Sequence, residues 1–198
     1  MQIRDLRPLR DKLFFTSADV AEAAGIKLSS AHVLCSRYVG KGLFVRVKKD
    51  FYVLEENWRR FSEKDLFRLA NSLQVPSYIS LGSALSFYGV STQVRRGWVE
   101  SVALKRSVRF EATDMAFHYF RLKEALYCGF AKTEGIFIAA KEKAFVDACH
   151  LSLYGGYDLD WDACDLSLLN RDDVLRLAAG FPGPTLQSVK KRLGAGGI

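Results

Sequence analysis

Residues 16–54 read TSADVAEAAGIKLSSAHVLCSRYVGKGLFVRVKKDFYVL, and this stretch decides the fold expected for the first third of the chain. The opening TSAD is typical of a helix start with a side-chain cap, and Gly25 ends the helix predicted over 18–24. A second helix is predicted from Ser29 or Ser30 through Lys41 to Gly42. The sequence therefore predicts two helices joined by a turn of a few residues.

The second of these helices has two unlike faces. Apolar residues recur at helical spacing and predict a buried face made of Ala31, Leu34, Cys35 and Tyr38. The opposite face is mostly polar and carries Ser30, His32, Val33, Ser36, Arg37 and Lys41. This pattern is typical of a helix that packs on one side and offers the other side to a ligand.

After Gly42 the apolar residues alternate, which predicts strands over 43–48 and 51–54 joined by a turn at Lys49 and Asp50. Helix, turn, helix and basic hairpin is the order of a winged helix-turn-helix, with the hairpin as the wing. The alternative is a small helix-hairpin module used only for packing. Residues 37–49 hold five basic residues and no acid, which favours DNA binding. The expected DNA-binding residues are Ser29, Ser30, His32, Ser36, Arg37, Lys41, Arg46, Lys48 and Lys49.

The net charge of +7 is unevenly distributed. Residues 1–62 hold 12 Lys and Arg against 7 Asp and Glu, and residues 63–110 hold 7 against 3, whereas the remainder is slightly acidic. A basic first half suits a polyanionic partner, most simply the phosphates of nucleic acid.

The rest of the chain predicts a second, α+β domain. The charged segment 55–61 is expected to be a hinge, so the domains are predicted as 1–60 and 61–198. A helix is predicted from Ser62 to the break at Val75-Pro76, and another over 77–89. Strands are then predicted over 98–104, 108–111, 115–122, 125–131 and 135–138. Helices are predicted after them over 141–153, 171–179 and 185–193. At the N-terminus of the chain, residues 3–13 are predicted to form a short helix.

No motif of an enzyme or a metal site is present, so we expect no catalytic residues, no metal and no cofactor. His118 is expected to be a half-exposed strand residue, while His32 is open to base or phosphate contact or to solvation alone. Lys143 and Asp147 are an i, i+4 pair for which a structural role is expected. Tyr78 is predicted to be a core residue and Ser80 a helix cap.

The four cysteines contain no Cys-x-x-Cys pair, and Cys35, Cys128, Cys149 and Cys164 are expected to be reduced and buried. The longest apolar stretches are far shorter than the roughly 20 residues that span a bilayer, and the N-terminus has no apolar signal core. We therefore expect a cytoplasmic protein without a membrane partner.

A second set of basic residues lies in the predicted α+β domain, at Arg95, Arg96, Lys105, Arg106 and Arg109. The sequence leaves three roles open for this set. It could extend the footprint on DNA, contact an acidic protein surface, or have no binding role.

Four stretches, taken together and in this order, resemble the AbiEi antitoxin family of bacterial toxin-antitoxin and abortive-infection systems. They are FTSADVA (15–21) with Gly25-Ile26, GLFVRV (42–47) running to Phe51-Tyr52, PSYISLGSAL (76–85) with Tyr88-Gly89-Val90, and IAAKEKAFVD (138–147). The first two are shared by many winged-helix regulators, and the last two are more specific. The chain departs from the family at the wing, where Lys49-Asp50 precedes Phe51-Tyr52 without the usual Gly.

The resemblance implies a winged helix that represses its own operon and a second domain that neutralises a nucleotidyltransferase toxin. The expected partners are therefore double-stranded DNA at the protein's own operator and such a toxin, with or without a stable complex. Two alternatives remain at this point: a winged-helix module that docks protein or RNA, and a transcriptional regulator with no toxin partner.

Overall fold

A computed structural model describes residues 7–93, 97–154 and 156–195. The chain divides into two compact units: one contains the chain up to Leu69 and returns for Phe110–Ala116, and the other contains Ala70–Arg109 and the chain from Phe117 onward. The predicted boundary lay at residue 60, and the return of 110–116 to the first unit was not predicted. Helices and strands are mixed, so the predicted α+β class is confirmed. No helix in the described ranges is long and apolar enough to cross a membrane.

The first helix of the first unit, α1 (Ser17–Ala24), begins as its sequence predicts. The Thr16 hydroxyl accepts a hydrogen bond from the Asp19 amide, and the Asp19 carboxylate accepts one from the Thr16 amide. This capping box satisfies amide groups that otherwise have no partner at a helix start. Gly25 ends the helix in the left-handed conformation, with φ of 62°.

The next helix, α2 (Leu28–Gly40), starts one residue earlier than predicted and has no side-chain cap. Its predicted inner face is confirmed, since Ala31, Leu34, Cys35 and Tyr38 are all buried. These residues pack in one apolar cluster with Leu9, Phe15, Val20, Phe44 and Tyr52. Burial of this face fixes the rotation of α2 about its axis, and therefore fixes which residues face solvent.

The hairpin consists of β1 (Phe44–Lys48) and β2 (Phe51–Leu54), which pair antiparallel with a bulge between Arg46 and Lys48. Asp50 takes the left-handed conformation at the turn, with φ of 54°. Aspartate tolerates this conformation better than most residues, so the turn forms without the glycine that the resemblance led us to expect. The Asp50 carboxylate also accepts a hydrogen bond of 2.8 Å from the Ser17 amide.

The segment predicted as a hinge is folded, and that prediction was wrong. Residues Glu55–Trp58 form a short helix, α3, and the Trp58 side chain is buried. The Trp58 indole donates to the Asp114 carboxylate at 3.4 Å, and the Asn57 amide donates to the Arg10 carbonyl at 2.8 Å. These partners lie far from residues 55–61 in sequence, so no local pattern could reveal them.

The predicted helix over 3–13 is also wrong where the structure describes it. Residues 7–9 form a single 3-10 turn, and residues 1–6 lie outside the described ranges. Leu9 is buried in the first unit's apolar cluster. Pro8 has no amide to donate and therefore disfavours a continuous helix through this segment.

Most of the second unit is built around a six-stranded sheet, and only residues within 110–116 of its strands belong to the first unit. The strands are β3 (Ser77–Ile79), β4 (Trp98–Ala103), β5 (Val108–Ala112), β6 (Met115–Arg121), β7 (Phe130–Thr133) and β8 (Ile136–Ala139). Their order in the sheet is β5-β6-β4-β3-β8-β7. Helix α4 (Glu63–Leu73) leads into it from the first unit and is followed by β3 (Ser77–Ile79) and α5 (Leu81–Phe87). The single helix predicted over 77–89 was therefore wrong for its first three residues. Strand β3 pairs antiparallel with β4 and parallel with β8, and its residues are buried.

Most of the remaining predicted elements are confirmed. The strands predicted over 98–104, 108–111, 115–122 and 135–138 correspond to β4, β5, β6 and β8. The strand predicted over 125–131 was wrong in its first half, because Glu124–Leu126 is a 3-10 turn and Gly129 has a positive φ of 71°. The last helices are α6 (Lys141–Tyr154), α7 (Arg171–Ala178) and α8 (Gly183–Ala195).

The four cysteines are free thiols but are not all buried. Cys35 and Cys149 are buried, as predicted, whereas Cys128 is exposed and Cys164 is half-buried. The prediction of burial was wrong for Cys128 because that residue lies between the 3-10 turn and β7, where a buried strand had been expected.

Candidate nucleic-acid interface

The outer face of α2 is the candidate interface, and the structure brings its predicted residues to one surface. Six of them are exposed: Ser29, Ser30, His32, Ser36, Arg37 and Lys41. No acidic residue occurs between Leu28 and Lys41. This face can therefore approach a polyanion without repulsion from its own side chains.

The inner face of α2 holds the outer face in place. The Cys35 side chain is fully buried, and burial raises the pKa of its thiol to about 11. The thiol is therefore neutral at physiological pH and behaves as a small apolar group. Tyr38 meets the Phe44 ring edge to face, with ring centroids 5.2 Å apart. This contact ties the end of α2 to the first strand of the hairpin.

The three basic residues of the hairpin differ in exposure. Arg46 and Lys49 are exposed, whereas Lys48 is half-buried. The Lys48 ammonium lies over two aromatic rings of the first unit, at 5.2 Å from the centroid of Phe51 and 5.7 Å from that of Phe110. Such cation-π contacts are favourable and hold the charge against the rings. Of the predicted wing residues, Arg46 and Lys49 are therefore presented to solvent more fully than Lys48.

Two acids of the first unit, at the start of α1 and at the hairpin turn, are engaged in structural bonds. Asp50 accepts from the Ser17 amide at the hairpin turn. Asp19 caps α1 and pairs with Lys12. Burial alone would raise the pKa of Asp19, but hydrogen bonds from Lys12 and Thr16 outweigh it and lower this pKa to about 2.

The second predicted basic set lies in the other unit as far as it is described. Arg95 and Arg96 lie outside the described residues. Lys105 and Arg106 are exposed in the turn between β4 and β5. The Arg109 guanidinium, on β5, lies over the Trp98 ring at 4.9 Å from its centroid. The three roles left open for this set remain open.

The second unit contains a buried polar cluster that sequence patterns predicted only in part. Lys143 and Asp147 form the expected i, i+4 ion pair, and both side chains are fully buried. The hydroxyls of Tyr78 and Ser80 each donate to Asp147 Oδ2 at 2.9 Å, and Lys143 donates to the Tyr78 oxygen at 2.9 Å. Tyr78 is a core residue as predicted. Ser80 occupies the N-cap position of α5, but its hydroxyl bonds Asp147 and makes no cap bond.

None of the four side chains of this cluster is exposed, and each of their polar atoms makes at least one hydrogen bond within the cluster. A buried and fully paired charge pair is typical of structural use. The cluster joins β3 and α6, which carry parts of the two more specific stretches of the family resemblance.

Two of the three histidines, His118 and His150, pack inside the second unit. His118 is half-buried on β6 as predicted and packs edge to face against Trp98, with centroids 4.8 Å apart. His150 Nδ1 lies 2.9 Å from the Thr185 hydroxyl, and burial lowers the pKa of its imidazole. Among the described residues no group of three or more His, Cys, Asp and Glu side chains is arranged to hold a metal ion.

No protein-family model matches this chain, and no curated protein matches it. The chain is similar in structure to the Rv2827c protein from Mycobacterium tuberculosis, with a TM-score of 0.64 and 14% sequence identity. The superposition covers 98% of this chain and 76% of that crystal structure's chain. At this identity the likeness concerns the fold alone.

Proposed function

We propose that the first unit is a winged helix-turn-helix that binds double-stranded DNA, and that the protein is a transcriptional regulator that represses its own operon. In this proposal α1 and α2 are the helix-turn-helix, and the β1–β2 hairpin is the wing. The observation that carries the proposal is the outer face of α2, which is exposed, contains no acid, and ends in Arg37 and Lys41.

The dimensions of α2 suit the major groove of DNA. A helix with its side chains is about 10–12 Å wide, and the major groove of B-DNA is about 12 Å wide. The 13 residues of α2 give it a length of about 20 Å, so one face can follow several base pairs. Arg37 is long enough to form a bidentate contact with guanine, and Ser29, Ser30 and Ser36 can donate to or accept from base edges.

The wing supplies phosphate contacts in this arrangement. Arg46 and Lys49 are exposed and carry fixed charges, so they can pair with backbone phosphates beside the groove. Such contacts release counterions, and the affinity they provide falls as salt rises. The slightly acidic last third of the chain offers no comparable attraction to a polyanion.

The proposal is tested by comparing two single variants of the full chain, Arg37→Ala and Lys190→Ala. Both remove an exposed basic side chain, but Lys190 lies on α8 of the second unit. Fluorescence anisotropy with a labelled 30-base-pair duplex from upstream of the gene measures the dissociation constants. We expect Arg37→Ala to weaken binding by about 1–3 kcal/mol, and Lys190→Ala to bind like the unsubstituted protein.

Circular dichroism checks that both variants keep the native fold. Equal affinities of Arg37→Ala and the unsubstituted protein would remove α2 from the interface. Tighter binding to double-stranded RNA or to a protein ligand than to any DNA duplex would favour the alternative of a docking module over a DNA-binding regulator.

The family resemblance extends the proposal to a second activity, neutralisation of a nucleotidyltransferase toxin by the second unit. Co-expression of the full chain with a nucleotidyltransferase encoded beside its gene tests this activity through cell growth. Rescue of growth by the Arg37→Ala variant, which is impaired only in DNA binding, is the expected result. Failure of the unsubstituted chain to rescue growth would leave a regulator without a toxin partner.

A further inference from the structure

We infer that Val33, on the outer face of α2, recognises a thymine by contact with its 5-methyl group in the major groove. This inference rests on the proposed function of α2 and names one base that the helix reads. Val33 was placed on the polar face of α2 by its spacing but was not among the residues predicted to bind DNA.

Packing does not account for valine at this position. Val33 is 69% exposed, more than any other large apolar side chain in the described ranges. Helix stability does not account for it either, since a β-branched residue loses side-chain freedom in a helix and many polar residues are better helix formers. Neither packing nor helix stability therefore selects valine at this position, and its meaning depends on what lies around it on the outer face of α2.

The neighbours of Val33 allow close approach to a groove. Ser29, Ser36 and Gly40 lie four residues before, three after and seven after Val33, so they share its side of the helix. All three are exposed and small. Val33 is consequently the projecting apolar group at the centre of this side, with His32 and Arg37 beside it.

The chemistry of the groove indicates which group Val33 would meet. The thymine 5-methyl is the apolar group that the base edges of unmodified DNA present in the major groove, and apolar side chains contact it. The other groups displayed there are hydrogen-bond donors and acceptors, which a valine side chain cannot satisfy. The lack of acids on α2 makes DNA the partner whose charge complements this surface.

The test uses a 30-base-pair duplex selected from a random pool by the full-length protein at 0.15 M salt. Each thymine in the selected duplex is replaced in turn by deoxyuridine, which lacks only the 5-methyl group. We expect one replacement per bound protein copy to weaken binding about fourfold, the value for burying one methyl-sized group. Val33→Ala should bind the thymine duplex several-fold more weakly than the unsubstituted protein does. Replacing that one thymine by deoxyuridine should not weaken the binding of Val33→Ala any further.

Val75→Ala is the matched control, because Val75 is also exposed, at 60%, but lies in the second unit. This variant should show the same thymine preference as the unsubstituted protein. Thermal unfolding checks that both variants remain folded.

The outcomes separate this inference from the proposed function. If no uracil replacement weakens binding, or if Val33→Ala shows the same loss on replacement as the unsubstituted protein, Val33 does not read thymine. In that case salt-sensitive binding that Arg37→Ala weakens would still support the DNA-binding function. If no duplex is enriched from the pool, the DNA-binding function and the reading of thymine both fail.

Discussion

The two exposed charges of the hairpin, Arg46 and Lys49, should determine part of the salt dependence of DNA binding. Each phosphate contact lowers the slope of log K against log salt by about 0.9. Loss of both contacts in the double variant Arg46→Ala/Lys49→Ala should therefore reduce the steepness by about 1.8. Relative to 1 M salt, where such contacts contribute little, this corresponds to about 30-fold weaker binding at 0.15 M salt. The assay is a titration of a labelled duplex at several salt concentrations between about 0.05 and 0.3 M.

Lys48 should behave differently, because its ammonium lies over the rings of Phe51 and Phe110. Lys48→Ala should leave the slope nearly unchanged and lower the free energy of unfolding by about 0.5–1 kcal/mol through loss of the ring contacts. A double variant Lys190→Ala/Lys191→Ala removes the same net charge from exposed sites on α8 and serves as the control. If the hairpin variant and this control have equal slopes, the hairpin does not contact DNA.

Three further predictions concern the stability and reactivity of the protein. Lys143→Met should lower the free energy of unfolding by about 3–5 kcal/mol, because it leaves the Asp147 charge buried without its cation, and adding Asp147→Leu should recover most of this loss. Urea unfolding of both variants measures the free energies, and a single variant as stable as the unsubstituted protein would contradict the buried pair. In the native protein a thiol reagent at pH 8 should modify exposed Cys128 much faster than buried Cys35, whose thiol pKa is about 11; equal rates would contradict this difference. The pKa of Asp19 in the folded protein, about 2, lies below its ordinary value of 3.8, so the contribution of Asp19 to stability should be complete above pH 3.8 and decline as the pH falls towards 2. In urea unfolding, Asp19→Asn should have a free energy of unfolding about 1 kcal/mol lower than that of the unsubstituted protein at pH 7 and an equal one near pH 2.

Local signals in the sequence predicted the elements that depend on local bonds. The capping box of Thr16 and Asp19 and the glycine at position 25 define α1 by interactions within ten residues, and the structure agrees. The inner face of α2 followed from the spacing of its apolar residues, because helical periodicity records burial directly. The outer face, and hence most of the candidate interface, followed from the same periodicity.

Elements defined by distant partners were not predictable in this way. Residues Ser77–Ile79 form a strand because β4 pairs with one of its edges and β8 with the other. Three residues are too few to show the alternation that predicts a strand. Trp58 is buried by a unit that includes Asp114, 56 positions later, so residues 55–61 resembled a charged linker. The difference in exposure between Lys48 and its neighbours has the same origin, since Phe110 lies far along the chain from Lys48.

At the hairpin turn, more residue types fit the backbone than the glycine that we expected, and Asp50 occupies this position. The resemblance led us to look for glycine at the hairpin turn, yet aspartate adopts the left-handed conformation there and bonds the Ser17 amide. The same carboxylate therefore shapes the turn and links the hairpin to the start of α1. An asparagine at this position should preserve both roles better than an alanine, because its side-chain oxygen is retained.

Recognition of its own upstream DNA by the protein is tested by comparing two duplexes at about 0.15 M salt. One duplex carries the sequence upstream of the gene, and the other carries the same base composition in scrambled order. Competition binding with the full chain should give an affinity ratio of about 10³ or more in favour of the upstream sequence, the range of specific over non-specific binding. Equal affinities for the two duplexes, or no measurable binding to either, would contradict the account.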